Sequence, residues 1–174
     1  MNRVEVTLIN GLTIGPAQPE EMDAVCEIAK VAWEPIHVSM VSMIGQDIHD
    51  AITGDWRDKK ASQIRRQYRE NPNGVLAIRD SETVAGFVTF GIDPDRSLGT
   101  IYNNAVSTAY QGKGIATAMY RHVLGLFQEA GLKYASVTTG LDPGHAPARK
   151  AYEKAGFDLR REDVTYYKRL NGVS

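Results

Sequence analysis

A single cysteine, Cys26, stands in a chain of 174 residues. It has no second thiol for an internal disulfide, and a cysteine-based metal cluster is excluded. Cys26 falls on the apolar side of a helical stretch, which suits a buried structural thiol. Long apolar runs are missing as well. None approaches the ~20 residues that a membrane-spanning helix needs. The opening residues, Met1-Asn2-Arg3-Val4-Glu5, are polar and lack the apolar centre of a signal peptide. Together these absences predict a cytoplasmic location and no membrane partner. An excess of charge is also lacking. Lys plus Arg number 20 against 21 Asp plus Glu, a net charge of −1. No overall field favours polyanions, and the basic residues are scattered, so no nucleic-acid partner is expected. Two short basic runs, 57–60 and 65–69, have acids and glutamines nearby and read as solvated helix faces. The four histidines, His37, His49, His122 and His145, show no ligand spacing, so no metal is expected.

Enough apolar residue is present to build a core. Hydrophobic residues make up 43% and charged residues 24%, values that exclude disorder of the whole chain. The length predicts one domain over residues 1–174. Residues 4–9 alternate and meet Asn10-Gly11, with Leu12-Thr13-Ile14 beyond. Asn-Gly between two such runs is a hairpin signal, because both turn residues must accept positive φ. Pro19-Glu20-Glu21 opens a helix. Met22, Val25, Cys26, Ala29, Ala32 and Trp33 share one face of it, and Pro35 is expected to end or kink it. Residues 36–70 read as further helix broken at Gly45 and Gly54. Three strands follow at 75–79, 83–92 and 98–106, with links short enough for an antiparallel meander. A long helix is expected over 114–130, a buried strand over 134–139 and a short helix over 148–155. Two last strands, 157–160 and 164–170, are expected to close the sheet. The fold class is α/β (α+β): a mixed, mostly antiparallel sheet with helices on both faces.

The most informative stretch is Val106-Ser107-Thr108-Ala109-Tyr110-Gln111-Gly112-Lys113-Gly114-Ile115-Ala116. A strand ends, a glycine-rich turn follows and a long helix begins. The first N–H groups of a helix have no internal partner, and the aligned dipoles add positive potential. Glycines at 112 and 114 let the backbone approach a ligand closely. Such a turn suits a phosphate or pyrophosphate. Lys113 adds charge nearby or points to solvent, and Thr117 offers a hydroxyl. The turn lacks the Gly-Lys-Ser/Thr ending of a P-loop and the third glycine of a dinucleotide fold.

Here the chain resembles the GNAT superfamily of N-acetyltransferases. Gln111-x-x-Gly114-x-Ala116 is similar to its Arg/Gln-x-x-Gly-x-Gly/Ala signature. His145-x-x-Ala148-x-x-x-Tyr152-Glu153-Lys154-x-Gly156-Phe157 resembles its Asn-x-x-Ala-x-x-x-Tyr-x-Lys-x-Gly-Phe segment. The resemblance covers roughly residues 12–170. It implies an acetyl-CoA-dependent N-acetyltransferase acting on a small-molecule or peptide amine. It implies that acetyl-CoA (coenzyme A) is the co-substrate. Its pantetheine arm would lie along Asn104, Ala105 and Val106, and its pyrophosphate on Gln111, Gly112, Lys113, Gly114, Ile115 and Ala116. Tyr152 corresponds to the family's general acid, which protonates the leaving thiolate. A homodimer would accord with dimers being common in that family.

Some positions depart from the pattern. His145 stands where the family usually has Asn, in a loop, and is a candidate for cofactor contact or for the base that takes the amine proton. The third meander strand carries no carboxylate, so a water held by Asn103 or Tyr102 is another route. Trp33 and His37 are candidate walls of the acceptor site. Two other readings share the phosphate turn: a catalytically silent acyl-CoA-binding sensor and a nucleotide-binding protein.

Overall fold

The computed structural model describes residues 4–170. Strands β1 (Val6–Ile9) and β2 (Leu12–Pro16) pair antiparallel through Asn10 at φ 53° and Gly11 at φ 79°. That is the positive-φ turn the Asn-Gly pair predicts. A 3₁₀ turn over Pro19–Glu21 leads into helix α1 (Met22–Ile44), followed by α2 (Gln46–Thr53) and α3 (Trp56–Glu70). The meander β3 (Val75–Asp80), β4 (Thr83–Asp93) and β5 (Leu98–Val106) follows. Helix α4 (Ile115–Glu129) crosses over to β6 (Tyr134–Val137), and α5 (Ala146–Ala155) comes last. The six strands lie in sequence order, antiparallel except β5–β6, which is parallel. Among the described residues no helix is long and apolar enough to cross a membrane.

The sheet separates two cores. On β3, Leu76 and Ile78 face one side while Val75 and Ala77 face the other, the period of two that a strand imposes. The first core packs Ile115, Met119, Val123 and Phe127 of α4 and Tyr152 of α5 against the sheet. The second packs Met22, Val25, Cys26 and Ala29 of α1 and Ala61 and Ile64 of α3 against its opposite face. Helices therefore cover both faces, as the sequence pattern predicts. Arg79 fastens the hairpin to the start of α1: its Nε and Nη2 donate to the two carboxylate oxygens of Glu21 at 2.6 and 2.7 Å.

Three expectations need correction. Helix α1 does not end at Pro35 but runs on to Ile44. Proline removes one backbone bond to the residue four earlier. Here that residue is Val31, 56% exposed, so solvent reaches the freed carbonyl's face of the helix. The strand expected over 134–139 stops at Val137 and is no buried strand, with Tyr134 65% exposed. The two closing strands do not form: residues 157–169 have no regular structure. Within that segment Arg160 pairs with Glu162 and Arg161 with Asp163. Arg169 then clamps to Asp47 through Nε at 2.8 Å and Nη2 at 2.5 Å. The end of the segment thus lies against α2 instead of along β6.

Candidate active site

The site begins where β5 loses a neighbour. β5 and β6 pair from Leu98↔Tyr134 to Ile101↔Val137 and no further. Beyond Ile101, β5 keeps only β4 beside it, so a cleft opens along Tyr102–Val106. Register fixes which groups face that cleft. Gly86 lies opposite Val106, and Ser107 N–H donates to Ala85 C=O at 2.8 Å. In an antiparallel ladder that arrangement makes Gly86–Val106 a non-hydrogen-bonded pair, so the Val106 N–H points away from β4. Asn104, opposite Val88, is turned the same way. Ala105 between them faces β4, and its side chain joins the α1/α3 core.

Past β5 the chain makes a 3₁₀ turn over Thr108–Tyr110 and then the glycine turn. Gly112 has φ 77° and Gly114 φ 79°, both in the left-handed region that favours glycine. A Cβ at Gly112 would meet nothing and one at Gly114 only Ile9 at 3.8 Å. Backbone conformation, not crowding, therefore calls for glycine at these positions. Gly114 caps α4, and no side chain bonds to the helix's first amides. Gln111 through Gly114 are exposed, while Ile115 is buried and Ala116 and Thr117 half-buried. The Gln111 amide folds back to donate to Val106 C=O at 3.0 Å, which steadies the turn. Lys113 Nζ donates to Ala109 C=O at 3.2 Å and lies over the Tyr110 ring. The result is an open, positively polarised helix entrance whose amides have no competing cap. It fits a pyrophosphate.

Three polar groups converge on the opposite wall. Tyr152, 6% exposed, accepts from Asn104 Nδ2 at 3.0 Å, and Tyr120 donates to Asn104 Oδ1 at 2.6 Å. The two phenol rings lie 4.5 Å apart. Burial pushes the Tyr152 hydroxyl above the usual phenol range, and its bonds to Asn104 and Tyr120 offset this only in part. Burial drives Tyr120 further up. Both stay protonated at neutral pH, and Asn104 ties the Tyr152 hydroxyl to the β5 edge.

His145 ends the 3₁₀ turn Pro143–His145 that precedes α5. Its Nδ1 is 2.5 Å from Asp142 Oδ2, and the Asp142 side chain is only 9% exposed. Burial raises Asp142, but the hydrogen bond and charge of His145 together with two backbone N–H groups outweigh it and hold the carboxyl below its usual range. An ionised Asp142 fixes the proton on Nδ1 and leaves Nε2 as an acceptor. This loop rests on α1: a Cβ at Gly144 would lie 3.3 Å from Pro35 O and Ile36 N. Asn103 is placed differently from its neighbour. It is 4% exposed, its Oδ1 accepts from Lys60 at 2.9 Å, and its Nδ2 donates to Gln67 at 2.9 Å. With both amide atoms engaged, Asn103 braces α3 to β5.

Two cavities adjoin α1. One of about 180 Å³ lies beside the glycine turn, between Ile28, Val31 and Ala32 of α1 and Val106, Ser107 and Gln111. The other, about 710 Å³, lies among α1, α2 and α3, away from the glycine turn. Trp33 and His37 both line it, with Trp56 stacked on His37 at 3.9 Å. It reaches β5 through Lys60, whose ammonium lies over Trp33 and bonds Asn103. The smaller cavity adjoins Val106 and the start of the glycine turn at Gln111, and the larger one has the size of a small-molecule site.

The acetyltransferase (GNAT) family matches residues 41–157, more than half of the chain. The chain belongs to the GNAT acetyltransferase family. Mycothiol acetyltransferase of Corynebacterium glutamicum is 30% identical over 115 residues, 66% of this chain and 38% of that protein. The Mycolicibacterium gilvum protein of the same name is 31% identical over 120 residues, 65% of this chain and 39% of that one. The chain thus spans about two fifths of the length of these relatives. Among solved structures, a PaiA N-acetyltransferase of Thermoplasma acidophilum in complex with coenzyme A superposes with a TM-score of 0.68. It is 13% identical, with 87% of this chain and 92% of that one covered. The GNAT fold is thereby shared at low identity.

Several site features of this GNAT chain escape sequence reasoning. His49, 4% exposed, bonds His37 at 3.0 Å, yet the two lie on different helices. Tyr120 reads as one more apolar position of α4. The Asp142–His145 pair has a visible spacing of three, but only the loop's closure makes it a dyad. Lys59, Lys60, Arg66 and Arg69 read as a solvated face, whereas they form one wall of the larger cavity.

Proposed function

We propose that this chain transfers the acetyl group of acetyl-CoA to an amine by direct attack. The observation that carries this reading is the coincidence of three things at one end of β5. They are an uncapped glycine helix entrance, an unpaired strand edge with the Val106 N–H turned outward, and a protonated buried phenol. The co-substrate supplies an activated acyl carbon and a thiolate leaving group of pKa about 8.5. The amides from Gln111 to Ala116 bind the pyrophosphate, with Thr117 in the first helical turn beside them. The unpaired edge at Asn104–Val106 aligns the pantetheine arm by main-chain bonds. The Val106 N–H is directed where negative charge grows on the acyl oxygen, the role of an oxyanion-hole donor. Tyr152, aimed by Asn104, gives its proton to the departing sulfur. His145, held in one tautomer by Asp142, accepts the proton of the attacking amine through Nε2.

The test is release of free coenzyme A thiol from acetyl-CoA across a panel of amines. Thiol release that depends on the amine is expected. A chain that binds coenzyme A tightly yet releases none with any amine would be a binding module instead. A chain that prefers ATP to coenzyme A would overturn the reading altogether.

A further inference from the structure

The 710 Å³ cavity among α1, α2 and α3 has a one-sided charge. Lys59, Lys60, Arg66 and Arg69 line it, and no Asp or Glu does. Among the described residues, neither Lys59, Lys60 nor Arg69 makes an ion pair, and Arg66 reaches Glu70 only at 3.9 Å. Elsewhere the chain pairs its cations closely: Arg57 with Glu34, Arg65 with Asp23, and Arg79 with Glu21 and Glu5. A second feature is independent of this count. Lys60 is half-buried, and its ammonium is held by neutral oxygens, Asn103 Oδ1 at 2.9 Å and Gln63 Oε1 at 3.0 Å, over the face of Trp33. Burial pulls its pKa below the usual lysine range. A partly buried charge without a counter-ion costs folding free energy, and an incoming anion relieves that cost.

The remaining wall suits the other end of such a ligand. Asp50 Oδ1 is 3.0 Å from His49 Nδ1, and His49 Nε2 is 3.0 Å from His37 Nδ1. With Asp50 accepting from His49 Nδ1–H, His37 donates in turn to His49, and the His37 Nε2 lone pair remains for a ligand N–H. We infer that this cavity binds the acceptor, and that the acceptor is a small amine carrying an anionic group. The inference rests on the acetyltransferase reading and deepens it. The amine meets His37, the anionic group meets Lys59, Lys60, Arg66 and Arg69, and polycationic amines are repelled.

The chain offers a direct readout, because its two tryptophans, Trp33 and Trp56, both line this cavity. The full chain is titrated with glutamate (a carboxylate), phosphoethanolamine (a phosphate) and glycinamide (no anion). Tryptophan fluorescence is followed with and without coenzyme A, and binding of coenzyme A alone is measured by calorimetry. Saturable binding of at least one anionic amine, at least about tenfold tighter than glycinamide, is expected. The carboxylate and phosphate arms show which anion is preferred. Lys60→Met should weaken that binding about tenfold, and the exposed pair Lys59→Gln/Arg69→Gln should weaken it several-fold, roughly the range of charge-assisted contacts. Equal affinity for glycinamide, no saturation by either anion, or unchanged binding in both variants would overturn the inference. Displacement of the anion by coenzyme A would do so too, by assigning the cations to the cofactor. Failure of these arms with coenzyme A binding intact leaves the acetyltransferase reading standing. Failure of coenzyme A to bind removes that reading itself.

Discussion

At the residue scale the chemistry depends on which proton sits where. Tyr152 is a neutral phenol that burial makes still harder to ionise, and Asn104 Nδ2 donates to its hydroxyl. Tyr152→Phe keeps the ring in the core but removes the donor. Turnover should fall by about 10²-fold or more with little change in coenzyme A affinity, as loss of a general acid predicts. Steady-state kinetics beside calorimetry check this, and unchanged kcat would remove Tyr152 from the mechanism. His37 carries a pH signature of its own. Burial, then the charges of His49 and Lys60, lower its pKa from 6.5 to about 4. The unfolded chain therefore takes up a proton near pH 6.5 that the folded chain refuses until about 4. Stability from this group is fully present above pH 6.5 and is lost as the pH falls toward 4. His37 is partly exposed, so after solvent screening the loss should be about 1–2 kcal/mol. Urea midpoints measured across that window should show a slope that His37→Phe flattens.

At the scale of elements, α4 lies flat on β5 because β5 has glycine at the contact. A Cβ on Gly99 would fall within the Phe127 ring's contact distance, and Phe127 is itself wedged edge-on against Phe90 at 5.6 Å. Gly99→Ala should cost about 1–3 kcal/mol by overpacking, read from denaturant unfolding. It should also disturb β5, and with it the cleft edge, more than an equivalent change on α3 would. Most element boundaries were legible in the sequence. The Asn10-Gly11 turn, the breaks at Gly45 and Gly54, the meander and the Gly156 cap at φ 113° all follow from local backbone rules. Pro35 does not end α1 because a proline rule is a rule about one hydrogen bond. At a wet helix face that bond is dispensable. The strands expected over 157–160 and 164–170 do not form, for a different reason. Alternation signals strand only where a sheet edge takes up the backbone, and here Arg169 is bonded to Asp47 of α2 instead.

At the scale of the whole molecule, the sheet holds two cores, and the cleft between β5 and β6 gives the proposed reaction its place. A ligand that binds only the folded chain raises its stability by mass action. Coenzyme A at a hundredfold its Kd should add about 2.7 kcal/mol, or about 5–10 °C in Tm for a chain of this size. Gly114→Val should abolish most of that shift, since a β-branched residue resists the φ of 79° that shapes the helix entrance proposed to hold the pyrophosphate. A shift of equal size in the variant, by differential scanning fluorimetry, would show that the glycine entrance is not the phosphate site. The sequence by itself determined the fold class, the glycine turn at the entrance of α4 and the place of Tyr152 on α5. Each is written in residues adjacent in the chain, where backbone conformation and helix ends act locally. The tertiary structure alone decided the end of β5–β6 pairing, the His37–His49 contact and the acid-free cation wall. These join α1, α2, α3 and β5 across long stretches of chain, and only packing settles which side chains meet and which charges go without partners.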